Sequence, residues 1–128
     1  MIKQFIDVAE NLNPSEVERL SRFYDDNATF IHPFKTVHGK KAIIRQWKMS
    51  FKYCPSTTIR TANIKKYINV DCTVYTFDWQ HCFLLPSGKK KIKGITTVVV
   101  SPEEMITLQL DVFNLHYYNT LFHHDSDN

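Results

Sequence analysis

Glycine is scarce in this chain, with 3 residues among 128. That argues against a loop-rich or disordered protein. Cysteine is equally sparse. Cys54, Cys72 and Cys82 are odd in number and lack metal-type spacing, so they read as reduced thiols of a cytoplasmic protein rather than a disulfide framework. No segment approaches the ~18 consecutive apolar residues a membrane-spanning helix needs. The apolar start runs into Asp7, unlike a secretory signal. The net charge of +3 is too small to imply nucleic acid. Its one basic cluster, Lys89, Lys90, Lys91 and Lys93, follows the turn signal Pro86-Ser87-Gly88 and lacks an aromatic stacking motif. It reads as the solvated start of a strand. Neither nucleic acid nor membrane is expected as a partner.

The six histidines, His32, His38, His81, His116, His123 and His124, show no HExxH or clustered ligand pattern. No glycine-rich phosphate loop or serine or cysteine nucleophile motif is present. No metal and no cofactor is expected.

Aromatic residues, by contrast, are plentiful, with 9 Phe, 6 Tyr and 2 Trp. Such side chains build cores, and they also line cavities for flat or apolar ligands. The length fits one domain, which we place at residues 1–122, with a polar tail at 123–128.

Ile2, Phe5, Ile6, Ala9 and Leu12 recur at helical spacing, which predicts a helix over 2–12. Asn13-Pro14 breaks it. Ser15 and Glu18 then form a capping-box pattern, predicting a second helix that runs to about Tyr24 and stops at Asp25-Asp26-Asn27. Ala28–Pro33 reads as a short strand ended by its proline. His38-Gly39 is a turn, and residues 40–53 carry Ile43, Ile44, Trp47 and Phe51 on one helical face.

From residue 57 the pattern changes to strands over 57–70, 72–85, 89–100 and 105–116, joined as a meander. In the second, Tyr75, Phe77, Trp79, His81 and Phe83 share one face, and Val74, Thr76, Asp78, Gln80, Cys82 and Leu84 the other. Fourteen extended residues span about 45 Å, whereas a domain of this size has a radius of gyration near ~14 Å. The sheet must therefore bend or bulge, and a bent sheet makes a concavity. Helices first and long strands after predicts an α+β layer fold: a cone-shaped, bent antiparallel sheet with three N-terminal helices packed in its concave face.

At the level of motif, Phe23-Tyr24-Asp25-Asp26-Asn27-Ala28-Thr29-Phe30-Ile31-His32-Pro33-Phe34 and Gly39-Lys40-Lys41-Ala42-Ile43 resemble the SnoaL-like branch of the nuclear-transport-factor-two-like superfamily. Leu110-Asp111-Val112-Phe113-Asn114 resembles that branch's Arg-Asp-Tyr-Phe-Asp element, and Trp79 resembles a tryptophan often found in its long central strand. The superfamily includes ketosteroid isomerase, scytalone dehydratase, polyketide cyclases and members with no known activity, so fold analogy alone selects no function.

In isomerase-like members an aspartate base precedes the proline of the short strand, and here that position is His32. A neutral histidine can take a proton as well. The isomerase's oxyanion donors are missing: the matching regions hold Phe5, Val8 and Thr96. Asp111 is the other candidate acid or base, because burial would raise its pKa. Alternation puts Thr107, Gln109, Asp111 and Phe113 on one face and Leu108, Leu110 and Val112 on the other, and either could be the inner one. The aromatic row of the second strand is also open to two placements. Facing outward it would need covering, most simply by a second copy, sheet to sheet.

Three readings result. The first is a protein that binds a small apolar or aromatic ligand against Phe34, Trp47, Phe51, Trp79 and Phe113. The second is a cofactor-free acid–base enzyme (isomerase, dehydratase or cyclase) with His32 as base and Asp111 and Tyr24 as partners. The third is a protein-interaction module with a filled cone. A homodimer through the sheet accompanies any of them.

Overall fold

A computed structural model describes residues 1–53 and 57–114, with side chains for 1–50 and 58–114. Helix α1 spans Ile2–Glu10 and buries Ile2, Phe5, Ile6, Val8 and Ala9. A 3-10 helix follows over Pro14–Phe23 and buries Val17, Leu20 and Phe23. Its cap is Asn13 rather than Ser15: the Asn13 side chain accepts from the Ser15 N–H at 3.0 Å. Pro14 sits in the first turn, where a missing N–H costs nothing, and this moves the helix start two residues upstream of the capping-box reading. Glu18, freed from that role, pairs with Lys48 at 2.5 Å.

Tyr24 does not end the helix. It opens strand β1, Tyr24–His32, which also takes in Asp25, Asp26 and Asn27. The short strand β2, Lys35–His38, returns beside β1. Gly39, at φ +91, donates its N–H to the Ala28 carbonyl at 2.7 Å and its own carbonyl accepts from Ile43, starting helix α2, Lys40–Tyr53. Strands β3 (Thr57–Ile68), β4 (Thr73–Leu85), β5 (Gly88–Val100) and β6 (Ile106–Phe113) complete the chain.

The six strands form one sheet in the order β2-β1-β6-β5-β4-β3. The meander from β3 to β6 is antiparallel throughout, but β1 joins β6 in parallel. The sheet is therefore mixed rather than antiparallel. Parallel neighbours need a long crossover, and here the whole meander supplies it.

Three irregularities bend the sheet. Between Ala62 and Lys65 of β3 one extra residue is inserted opposite β4. Asn63 sits there at φ 56, a left-handed conformation asparagine tolerates well, and its amide donates to Asp78 Oδ2 at 2.6 Å. Further register shifts fall between Tyr24 and Thr29 on β1 and between Val99 and Val100 on β5. Bulges of this kind raise twist and curvature. The helices pack against one face of the sheet, around a core that includes Phe5, Leu20, Tyr24, Phe30, Ile43 and Ile106.

Candidate functional site in the cone

The helices do not fill the concavity. A cavity of about 260 Å³ lies between α1, α2 and the sheet, above the ~150 Å³ that suffices to hold benzene. The α1 residues Phe5, Ile6 and Ala9 and the α2 residues Trp47, Met49 and Ser50 line one side. The sheet supplies the rest.

Strand parity decides the sheet's contribution. Phe77, Trp79, His81 and Phe83 line the cavity, so the aromatic row of β4 faces inward and is not an outer surface in need of cover. Asp78, on the opposite parity, is engaged with Asn63 instead. On β6, Gln109, Asp111 and Phe113 line the cavity, while Val112 is 54% exposed on the other face. His32 lies at the end of β1 with its side chain in the same wall. The parallel register pairs Phe30 with Gln109 and Ile31 with Leu110, so its continuation sets His32 level with Asp111 on the adjacent strand, about 4.8 Å away. The cavity thus unites His32 and Asp111, which lie far apart in sequence.

Asp111 is the strongest polar feature. Thr96 Oγ1 donates to its Oδ1 at 2.7 Å, and Gln109 Nε2 donates to the same oxygen at 3.1 Å. Burial pushes its pKa up to about 6 against these two donors. A carboxyl group tuned toward neutrality is suited to taking and returning a proton at pH 7.

His32 has the opposite character. Its Nδ1 accepts the Phe34 N–H at 3.3 Å. An imidazole with Nδ1 as acceptor carries its proton on Nε2, and that atom is buried with no hydrogen-bond partner. Burial, and secondarily the charge of Lys35, hold its pKa below the usual value, so the ring stays neutral. In this arrangement the Nε2–H is enclosed within the wall rather than turned to the open cavity. A proton-taking role for His32 would need the other tautomer, with Nδ1 released from the Phe34 N–H.

Tyr24 is not in the cavity wall. It is fully buried, donates to Gln109 Oε1 at 2.5 Å and accepts from Trp47 Nε1 at 3.2 Å. Burial raises its pKa, and the nearby Asp111 charge adds to this, so the phenol keeps its proton. Of the aromatic candidates, Phe34, Trp47, Trp79 and Phe113 all line the cavity. Phe34 meets His32 edge-on and Phe113 at a tilt, each at 5.8 Å between ring centroids, and Trp79 meets Phe113 edge-on at 5.8 Å. The side chain of Phe51 lies outside the described residues, as do His116, His123, His124 and Cys54.

Among the lining residues not singled out from sequence as site residues, two stand out. His81 packs on Phe83 at 4.3 Å, and burial drives its pKa down to about 4. Its Nε2 and the Trp79 Nε1, like His32 Nε2, are buried without a partner. Gln109 is the other. Both share strand parity with residues that were chosen, which was the available signal. Among the described residues no three His, Cys, Asp or Glu side chains cluster as a metal site, and no helix is long and apolar enough to cross a membrane.

Residues 2–107 match the SnoaL-like domain family. The chain belongs to that family. Among solved structures it is similar to an NTF2-like protein of unknown function from Exiguobacterium sp. 255-15, at 15% identity and a TM-score of 0.73, covering 89% of this chain and 98% of that one. It is also similar to a candidate isomerase from Bacillus subtilis, at 16% identity and a TM-score of 0.70, covering 94% and 88%. A third is the β subunit of benzoate 1,2-dioxygenase from Burkholderia mallei ATCC 23344, at 14% identity and a TM-score of 0.68, covering 91% and 90%. At such identities the likeness is one of fold. No curated protein matches the sequence. The SnoaL-like chain therefore takes its functional reading from its own cavity.

Proposed function

We propose that this SnoaL-like protein binds a small, largely apolar ligand of one or two rings inside the cone. The observation that carries this is the open cavity of about 260 Å³ walled by the aromatic side chains of Phe34, Trp47, Trp79 and Phe113, a lining suited to a flat, apolar ligand. The interaction-module reading calls for a filled cone, and among the described residues the cavity between Trp47 and Phe113 speaks against it. Thermal unfolding with 1-indanone, 2-naphthol and 2-acetylnaphthalene tests the proposal. At a hundredfold excess over Kd a ligand stabilises by about 2.7 kcal/mol, read as a raised Tm. Absence of any shift, with unchanged tryptophan emission, would count against it.

A second reading rests on Asp111 and His32 together. Their juxtaposition in one cavity wall supports cofactor-free acid–base chemistry of the isomerase, dehydratase or cyclase type, with Asp111 taking the proton and His32 as its partner. Deuterium exchange next to the carbonyl of 1-indanone in D₂O, followed by NMR, is expected to be accelerated by the protein and lost in Asp111→Asn.

The proposal extends to assembly and location. The inward aromatic row removes the earlier reason for a sheet-to-sheet homodimer, but Ile95 and Val112 pair directly across β5 and β6 and are 51% and 54% exposed. That apolar pair supports the same dimer through a different surface. The free thiols of Cys72 and Cys82 suit a reducing cytoplasm.

A further inference from the structure

The acid–base reading leaves four polar side chains around Asp111 without a stated task. Three of them form a directed chain that ends on Asp111. Trp47 Nε1 donates to the Tyr24 hydroxyl at 3.2 Å, Tyr24 donates to Gln109 Oε1 at 2.5 Å, and Gln109 Nε2 donates to Asp111 Oδ1 at 3.1 Å. Thr96 Oγ1 reaches the same oxygen from β5 at 2.7 Å.

The direction of this chain is forced at its far end. An indole N–H can only donate. The Tyr24 oxygen therefore accepts from Trp47, and its one proton goes to Gln109. That contact in turn assigns the amide: its oxygen faces Tyr24 and its NH₂ faces Asp111. Reversed, the amide would present an oxygen to a carboxylate, which repels. Gln109 is only 3% exposed and Tyr24 is fully buried, so water does not compete for these contacts.

We infer that Trp47, Tyr24 and Gln109 are positioning residues that fix which oxygen of Asp111 works. Oδ1 is held by two donors and stays an acceptor. Oδ2 makes no hydrogen bond among the described residues, and Asp111 lines the cavity, so Oδ2 is the atom that takes the proton. Tyr24 acts through Gln109 without touching a ligand, which explains why a tyrosine absent from the cavity wall sits at the centre of the network. Trp47 belongs to both the network and the wall, so the α2 face that contacts a ligand is tied to the carboxylate on β6. This inference rests on Asp111 as the proton acceptor.

Among the described residues the titratable groups around Asp111 are few: His32 faces it from β1, Tyr24 lies behind it, and His81 occupies the β4 wall, while the described side chains of α1 and α2 in the lining carry no ionisable group. A titration of the Asp111 carboxyl is therefore separable from its surroundings.

The test needs no ligand, so it stays distinct from the failure of the acid–base reading itself. Protein labelled with ¹³C at the aspartate carboxyl is titrated by NMR, and the Asp111 signal is assigned by its loss in Asp111→Asn. Gln109→Leu removes one donor directly and is expected to raise the Asp111 midpoint by about one unit, since a hydrogen bond to a charged group is worth about 1.5–3 kcal/mol and one unit is 1.36 kcal/mol. Tyr24→Phe touches nothing on Asp111, yet it is expected to raise the midpoint by half a unit or more, because Gln109 loses its orienting contact. Trp47→Phe moves it the same way by less. A wild-type midpoint in Tyr24→Phe and Trp47→Phe would show that these residues only fill space and would overturn the inference. Should Tyr24→Phe fail to fold, Trp47→Phe decides alone. If the midpoints move as expected but ketone exchange is absent, the network stands and the acid–base reading falls.

Discussion

The indole of Trp79 lies across Gly94, where an added Cβ would come within 2.1 Å of Trp79 Cζ2. Gly94 pairs with Trp79 on one side and with Phe113 on the other. The missing side chain is thus the gap through which the indole reaches Phe113. Gly94→Ala closes it. Overpacking of this kind costs about 1–3 kcal/mol, to be read as a lower urea midpoint with altered near-ultraviolet dichroism of the tryptophans. Unchanged dichroism and stability would show that the indole has another resting place.

Asp111 makes the protein less tolerant of alkaline than of mildly acid conditions. Its pKa rises from 3.8 to about 6 on folding, so the folded state favours the protonated form. That contribution is fully present below about 3.8 and is lost as pH rises through 6. Asp111→Asn keeps a neutral group throughout. The variant is expected to match the wild type near pH 4 and to exceed it at pH 8 by on the order of 2 kcal/mol, measured by urea unfolding at both pH values.

His81 carries the opposite sign. Its pKa falls from 6.5 to about 4, so the fold favours the neutral ring. That stability is fully present above 6.5 and is lost as pH falls through 4. His81→Phe cannot be charged and also removes the unpartnered Nε2. Its Tm advantage over the wild type is expected to widen steadily between pH 6.5 and 4. A constant difference across that range would mean the ring is not held neutral by burial.

The proposed dimer is tested on the outer face of the sheet. Ile95→Lys places a charge beside Val112, its partner across the strands, on the face opposite the cavity. Sedimentation analysis should show the wild type at twice the chain mass of 15.1 kDa and the variant at the chain mass, with ligand-induced Tm shifts retained. A monomeric wild type would remove the dimer.

The long elements were legible because their patterns repeat. Helix α2 and the four meander strands came through within one to three residues at each end, since alternation and helical spacing accumulate over a dozen positions. What was missed depends on non-local partners. Nothing in Tyr24-Asp25-Asp26-Asn27 reads as strand; its pairing with Ile106 makes it one. The parallel β1–β6 contact joins segments separated by most of the chain, and β2 is too short for alternation to show. Asn13 outcompeted Ser15 as cap because Pro14 had already fixed the first turn.

The site was half legible. Parity grouped Asp111 with Gln109 and Phe113, and Trp79 with His81, but could not choose the inner face, because both faces of β6 carry apolar residues. Packing of α1 and α2 chose it. The chemistry of His32 was out of reach, since its tautomer depends on a backbone N–H two residues away.

The parallel contact has a consequence for the order of assembly. The meander consists of neighbouring hairpins, which can close within microseconds. The bond between Tyr24 and Gln109 spans 85 residues, and closing so long a loop is slow. The wall that holds His32 beside Asp111 is therefore expected to be the last part built. During synthesis β1 emerges first and must wait for the rest of the chain before it finds β6.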